Sequence, residues 1–302
     1  MNKLIYFRDL VCQGAIDILS SAKNRALQES SCDELICLLK NRRLIFLIKE
    51  EKLQDISHSC TAISLWKKVA ELLQLEFCIQ QEIIDIKKED ILLADREFIL
   101  PLQEMERENI LIEQGNYPDY TMKNALSTFS TLLYTSLLHN KNFYEINIAY
   151  IGDGNNDNRY TTNNLINSSI CMRNFITFSF SEYAYKKSLA LDTEELSFAM
   201  NAGAKIFLTH NPEFIESDMD ILFLAPWTHE KSMGKDGQQS GLQVISHPYA
   251  YENIYNLFLD NTQIVSLTED FKSSEINLDF YMKAAITTRI ASLQYMLNKK
   301  GI

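Results

Sequence analysis

Nowhere in the 302 residues does an apolar run reach the roughly 18 needed to cross a bilayer. The opening stretch, Met1 to Leu10, contains Arg8 and Asp9 and lacks a small-residue cleavage site, so it does not read as a secretory signal. These absences predict a cytoplasmic location. Positive charge is scarce: 29 Lys and Arg stand against 40 Asp and Glu, a net charge of −11. Nucleic acids and anionic membranes attract basic surfaces, so neither is expected as the main partner. A local basic pocket for a small anion stays compatible with that balance. The six cysteines (Cys12, Cys32, Cys37, Cys60, Cys78 and Cys171) form no Cys-x-x-Cys pair, and no His stands at metal-ligand spacing from any of them. They read as reduced, mostly buried thiols, with no metal site and no cofactor expected. No internal repeat and no low-complexity tract occurs.

What is present is the composition of an ordinary globular protein, 46% hydrophobic and 23% charged, long enough for two modest domains with real cores. Helices are predicted over about 12–28 and 31–39. The apolar run Arg43 to Ile48 reads as a buried parallel strand. A helix over Thr61 to Leu73 places Ala62, Leu65, Val69 and Leu72 on one face. A strand is expected within Phe77 to Ile86, and residues 87–109 show no clear period. Ile110 to Ile112 reads as a short strand and Met122 to Leu138 as a long apolar helix. The polar stretch 139–145 marks a domain boundary. After it, strands at 146–151, 175–180, 205–208 and 221–224 alternate with helices at about 162–172 and 194–202. A last helix, Tyr281 to Asn298, crosses back onto the first domain. Alternating strands and helices predict α/β domains with parallel sheets. The domains are drawn as 1–140 plus 278–302, and 141–277.

Gly152-Asp153-Gly154-Asn155-Asn156 follows a strand and precedes a helix. Glycine permits a tight turn with backbone close to a ligand, at the strand end where parallel sheets bind ligands. A third glycine and an acidic ribose partner are lacking, so a dinucleotide signature is not read. Taken alone, the turn is equally a plain βα connection. Its surroundings add to it: Ala149 to Asn156 resembles the strand and turn that open the amino-acid-binding domain of ornithine carbamoyltransferases. Leu208-Thr209-His210-Asn211-Pro212-Glu213, Asp220 to Leu224 with Trp227, Ser232-Met233-Gly234 and Leu242-Gln243-Val244 resemble later segments of the same family. Phe7-Arg8-Asp9-Leu10 and Leu44 to Ile48 resemble its opening, and Thr288-Arg289-Ile290 its closing Asn-Arg-Leu.

The resemblance to the ornithine/aspartate carbamoyltransferase family implies an α/β fold of two domains, each a parallel sheet flanked by helices, with a cleft between them. It implies a first domain for carbamoyl phosphate, a second for an amino-acid-like small molecule, and a homo-oligomer, a trimer. Asp153, Gly154, Asn155, Asn156, Ser232 and Met233 are its substrate-binding candidates. The donor side departs. The family's Ser-Thr-Arg-Thr-Arg is matched by Lys52-Leu53-Gln54-Asp55-Ile56, with both arginines gone and a carboxylate that repels a phosphate dianion. Lys49, Lys52 and His58 are the cations near it. The family's His-Pro-x-Gln is matched by Thr121-Met122-Lys123-Asn124, in which only the Asn124 amide corresponds. Its His-Cys-Leu-Pro falls near Val265 to Glu269 without the cysteine or proline, and His247-Pro248 comes too early to replace it. Ala225 stands where an aspartate is expected, and His229-Glu230-Lys231 is inserted before Ser232. Lys52, Asn124 and Arg289 are the remaining donor-side candidates, and no catalytic residue is assigned. Two readings stay open: a transferase with altered donor or acceptor, and an inactive paralogue that binds a ligand or serves assembly. A third, a nucleotide-binding α/β protein sharing a generic turn, leaves Ser232-Met233-Gly234 unexplained.

Overall fold

The computed structural model describes residues 2–4, 12–28, 31–52, 61–105, 109–115, 119–154, 158–180, 191, 193–225, 227–230, 242–245, 262–267 and 276–300. The chain divides into two compact units, Met1–Leu137 with Asn277–Ile302, and Leu138–Ile276.

The first unit is built on a wholly parallel five-stranded sheet. Its order is β1 (Asn2–Leu4), β5 (Ile110–Glu113), β4 (Ile91–Ala94), β2 (Arg43–Leu47), β3 (Glu76–Gln80). β2 is a continuous apolar run because it pairs on both sides and is covered on both faces; Leu44 through Ile48 are fully buried. Around the sheet lie α1 (Cys12–Gln28), α2 (Asp33–Leu39), α3 (Ala62–Leu72), α4 (Arg96–Glu104), α5 (Ala125–Leu138) and the last helix, α8 (Leu278–Lys300). α1 buries Ala15, Ile18, Leu19, Ala22 and Ala26, a stripe at helical spacing, and packs along α8. α5 is buried nearly all round, Ser and Thr included. Its hydroxyls return to carbonyls one turn back: Thr128 to Asn124, Ser130 to Leu126 and Thr131 to Ser127.

Several expectations are corrected here. Residues 87–109 hold β4 and α4, and the strand expected within Phe77 to Ile86 ends at Gln80. The buried stripe of α3 ends on Leu73, while Leu72 is 52% exposed, because the helix has turned its core face past that position. Of the five described cysteines none is buried: Cys37 is exposed and Cys12, Cys32, Cys78 and Cys171 are half-buried, all as free thiols. Burial and the Glu76 carboxylate raise the Cys78 thiol above its ordinary pKa, which lowers its reactivity.

The second unit carries another wholly parallel five-stranded sheet, in the order β12 (Gln263–Ser266), β9 (Ile221–Leu224), β6 (Asn147–Ile151), β7 (Phe175–Ser179), β8 (Lys205–Thr209). α6 (Arg159–Met172) and α7 (Thr193–Asn201) belong to it, as does an antiparallel hairpin of β10 (Trp227–Glu230) with β11 (Leu242–Ile245). Side chains alternate between its faces. Ala149, Ile151, Leu222 and Leu224 pack on Ile215 and Met219. Tyr150, Phe178 and Phe180 form an aromatic cluster, the two phenylalanines stacked with centroids 5.6 Å apart. From β6 the chain crosses to β7 on one side, whereas β9 pairs with β6 on the other. The carboxyl ends of β6 and β9 therefore flank a topological switch point, the place where open α/β sheets hold ligands.

Candidate functional site

At that switch point the turn after β6 is fixed from both sides. Gly152 adopts φ +131°, and a Cβ placed on it would stand 2.5 Å from the Ala225 carbonyl oxygen and 2.7 Å from its Cβ. The Ala225 N–H donates to the Ile151 carbonyl at 2.8 Å, which holds the two strand ends together. Only glycine fits so close an approach at this φ. The next two carbonyls are tied inward. The buried Tyr150 hydroxyl and the Asn158 amide donate to Asp153, and the Thr162 hydroxyl donates to Gly154 at 2.8 Å. Burial, and after it the Asp153 carboxylate, hold the Tyr150 phenol well above its ordinary pKa, so it stays protonated as a donor.

Asp153 itself is 5% exposed at this edge. Beside it β7 ends in the fully buried Ser179, whose hydroxyl finds no hydrogen-bond partner among the described residues. β8 leads to Thr209 and the exposed His210, whose Nδ1 is 3.4 Å from the Phe180 carbonyl. Sequence reasoning missed Tyr150, Asn158 and Thr162 as the groups that rigidify the turn. Asn158, directly ahead of α6, was the available signal, since Asn commonly stands at helix starts. Asp153 and Gly154 thus lie in one rigid turn. Asn155, Asn156, Ser232, Met233 and His247-Pro248 lie outside the described residues.

In the first unit the corresponding carboxyl edge gathers charges of both signs, and they pair. Lys49, after β2, bridges Glu97 on α4. Arg96 bridges Glu113, the last residue of β5, at 2.6 Å. Arg289 on α8 and Asp119, just after β5, are both 0% exposed and form a two-pronged pair at 2.6 and 3.3 Å. The same guanidinium donates to the Ala285 carbonyl and the Gln114 side chain, and it lies over the Trp66 ring with Cζ 5.5 Å from the centroid. Trp66 Nε1–H also donates to Gln114, at 3.1 Å. Lys52 ends a short 3₁₀ turn, Glu50–Lys52.

Asn124 is 3% exposed and caps α5: its Oδ1 accepts from the Ser127 N–H at 2.8 Å, and Ser127 Oγ accepts from the Asn124 N–H at 3.0 Å. This explains why α5 begins at Ala125 and not at Met122. Asn124→Ala is expected to lower stability by about 1–2 kcal/mol and Asn124→Ser to retain most of it, as measured by chemical denaturation. Equal losses in both variants would contradict the capping role.

Among the described residues no group of three or more His, Cys, Asp or Glu could hold a metal ion, and no helix is long and apolar enough to cross a membrane.

No family model matches the chain. Ornithine carbamoyltransferase of Bacillus cereus is 29% identical over 107 residues, 35% of this chain and 31% of that protein. The enzyme of the same name from Bacillus anthracis is 30% identical over 97 residues, 32% of this chain and 28% of its own. The matched stretch thus spans about a third of the curated relatives' length. Solved structures align over nearly everything. Ornithine carbamoyltransferase from Gloeobacter violaceus gives a TM-score of 0.63 at 12% identity, covering 98% of each chain. Anabolic ornithine carbamoyltransferase from Campylobacter jejuni gives 0.64 at 13% identity, covering 97% of this chain and 98% of that one. The catalytic subunit of M. jannaschii aspartate transcarbamoylase gives 0.57 at 14% identity, covering 100% of this chain and 99% of that one. With two parallel five-stranded sheets and structural alignments over nearly the whole chain, the chain has the fold of the ornithine and aspartate carbamoyltransferases, and about a third of it is also similar in sequence to ornithine carbamoyltransferases.

Proposed function

We propose that this chain binds an amino-acid-like small molecule at the carboxyl edge of its second sheet and does not carry out ordinary transfer from carbamoyl phosphate to ornithine. The observation that carries this is in the first unit: Lys49, Arg96 and Arg289 are each already paired with a carboxylate of the chain. Phosphoryl donors need several cations and N–H groups converging on a dianion. A guanidinium neutralised by Asp119 attracts a second anion weakly, and Glu97, Glu113 and Asp119 add repulsion. The rigid Gly152–Gly154 turn at the switch point supports retained ligand binding in the second unit. Its neighbour Ala225 brings no charge for a side-chain ammonium, which argues for a ligand other than ornithine. A trimeric state and a cytoplasmic location belong to the same proposal.

Calorimetric titration with carbamoyl phosphate, followed by a panel of amino acids, tests it together with a carbamoylation assay across amines. The expected result is no carbamoylated product above the blank and no micromolar binding of carbamoyl phosphate, with saturable heat from at least one amino acid. Micromolar carbamoyl phosphate binding, or turnover with any amine, would overturn the reading in favour of a working transferase.

A further inference from the structure

We propose that Arg289 is the receptor of a small carboxylate-sized anion site in the first unit, and that the chain's own Asp119 fills it. The proposal rests on the reading that this unit does not hold carbamoyl phosphate, and goes further by naming what occupies the guanidinium instead.

The two halves of the pair come from different kinds of structure. Arg289 stands in the middle of the 23-residue α8. Its surroundings are fixed by regular elements: Trp66 on α3 beneath it, Ala285 one turn back, Ser130 on α5, and Gln114 directly after β5. Asp119 comes from a connection, a three-residue 3₁₀ turn, Asp119–Thr121, that delivers its carboxylate end-on to the fork. Tyr281 adds a hydroxyl donor to the same carboxylate at 3.3 Å. A rigid guanidinium with a stacked ring and a hydroxyl donor is the chemistry by which proteins grip free carboxylates. The location, the carboxyl edge of a parallel sheet, is where such ligands enter. Polar capacity is also left over. Arg289 Nε and Ser292 Oγ, one turn apart on α8 and both in fully buried residues, make no hydrogen bond among the described residues.

If the site is a receptor, deleting the side-chain carboxylate leaves a hole that a free one enters. A pair that serves packing alone would close or collapse when its acid is removed. The experiment is thermal unfolding of full-length Asp119→Ala and of the wild-type chain in sodium formate, sodium acetate and sodium chloride at matched ionic strength. The variant is expected to start several degrees low. Formate should restore most of that interval saturably, because an anion that binds only the folded state raises its midpoint. Acetate should restore less, the wild type should shift no more in formate than in chloride, and the double variant Asp119→Ala/Arg289→Met should not respond. Equal formate and chloride effects, an equal shift in the wild type, or a variant that stays unfolded at every formate concentration would each overturn the proposal. The functional reading fails separately, through carbamoyl phosphate binding to the wild-type chain, so the two failures are distinct.

Discussion

Arg289→Met is expected to destabilise the first unit by about 3–5 kcal/mol. The residue is 0% exposed, and its partner Asp119 is equally buried. Removing the cation alone leaves a carboxylate without its counter-charge inside the protein, and among the described residues only the Tyr281 hydroxyl still donates to it. Part of the loss is also packing, since the guanidinium covers the face of Trp66. The double variant Arg289→Met/Asp119→Leu separates the two contributions. Replacing both members of a buried pair by apolar side chains is often close to neutral, so the double variant should recover most of the single variant's loss. Denaturant titrations followed by Trp66 fluorescence in a Trp227→Phe background, which removes the tryptophan of the second unit, read the first unit directly, and the double-mutant cycle gives the coupling. A single variant within about 1 kcal/mol of the wild type would show that the pair carries little of the unit's stability.

This pair also shows how far the sequence could be read. The α/β class and the strands with long apolar runs were legible, because β2 and β9 are buried on both faces and need no polar alternation. β4 was not. Ile91–Ala94 follows the charged stretch Lys87 to Asp90, which masks its apolar run, and its strand identity comes from pairing with β2 and β5 on either side. α4 was hidden for a second reason: Pro101 inside it reads locally as a helix breaker. At the candidate sites the limit is different. Arg289 and Asp119 stand 170 positions apart, so nothing local in the sequence reveals that the arginine is already neutralised. Sequence alone shows the charge and leaves its partner unseen. Likewise, the turn glycine at Gly152 was visible as a motif, while the approach of Ala225 that makes glycine obligatory was not.

Gly152→Ala is expected to cost about 3–5 kcal/mol, the second large effect. Two independent terms add at this position. A side chain at φ +131° is strained by about 1–3 kcal/mol. The new methyl also meets backbone, the Ala225 carbonyl oxygen at 2.5 Å and carbon at 2.7 Å, and overpacking against atoms that cannot rotate away costs about 1–3 kcal/mol more. Relief would require β6 and β9 to part at their carboxyl ends, breaking the Ala225 N–H bond to Ile151. Gly203→Ala is the matched control. It has φ +81°, but its methyl meets the end of the Arg173 side chain, whose guanidinium bonds the Ala202 and Gly203 carbonyls and has room to swing aside. Its expected cost is about 1–2 kcal/mol. The two substitutions therefore have the same chemistry and differ in what the methyl strikes. Equilibrium denaturation of both variants, with amino acid titrations on whichever protein remains folded, checks this difference. If Gly152→Ala proved as mild as Gly203→Ala and bound the same ligand unchanged, the switch-point turn would be neither rigid nor part of the site.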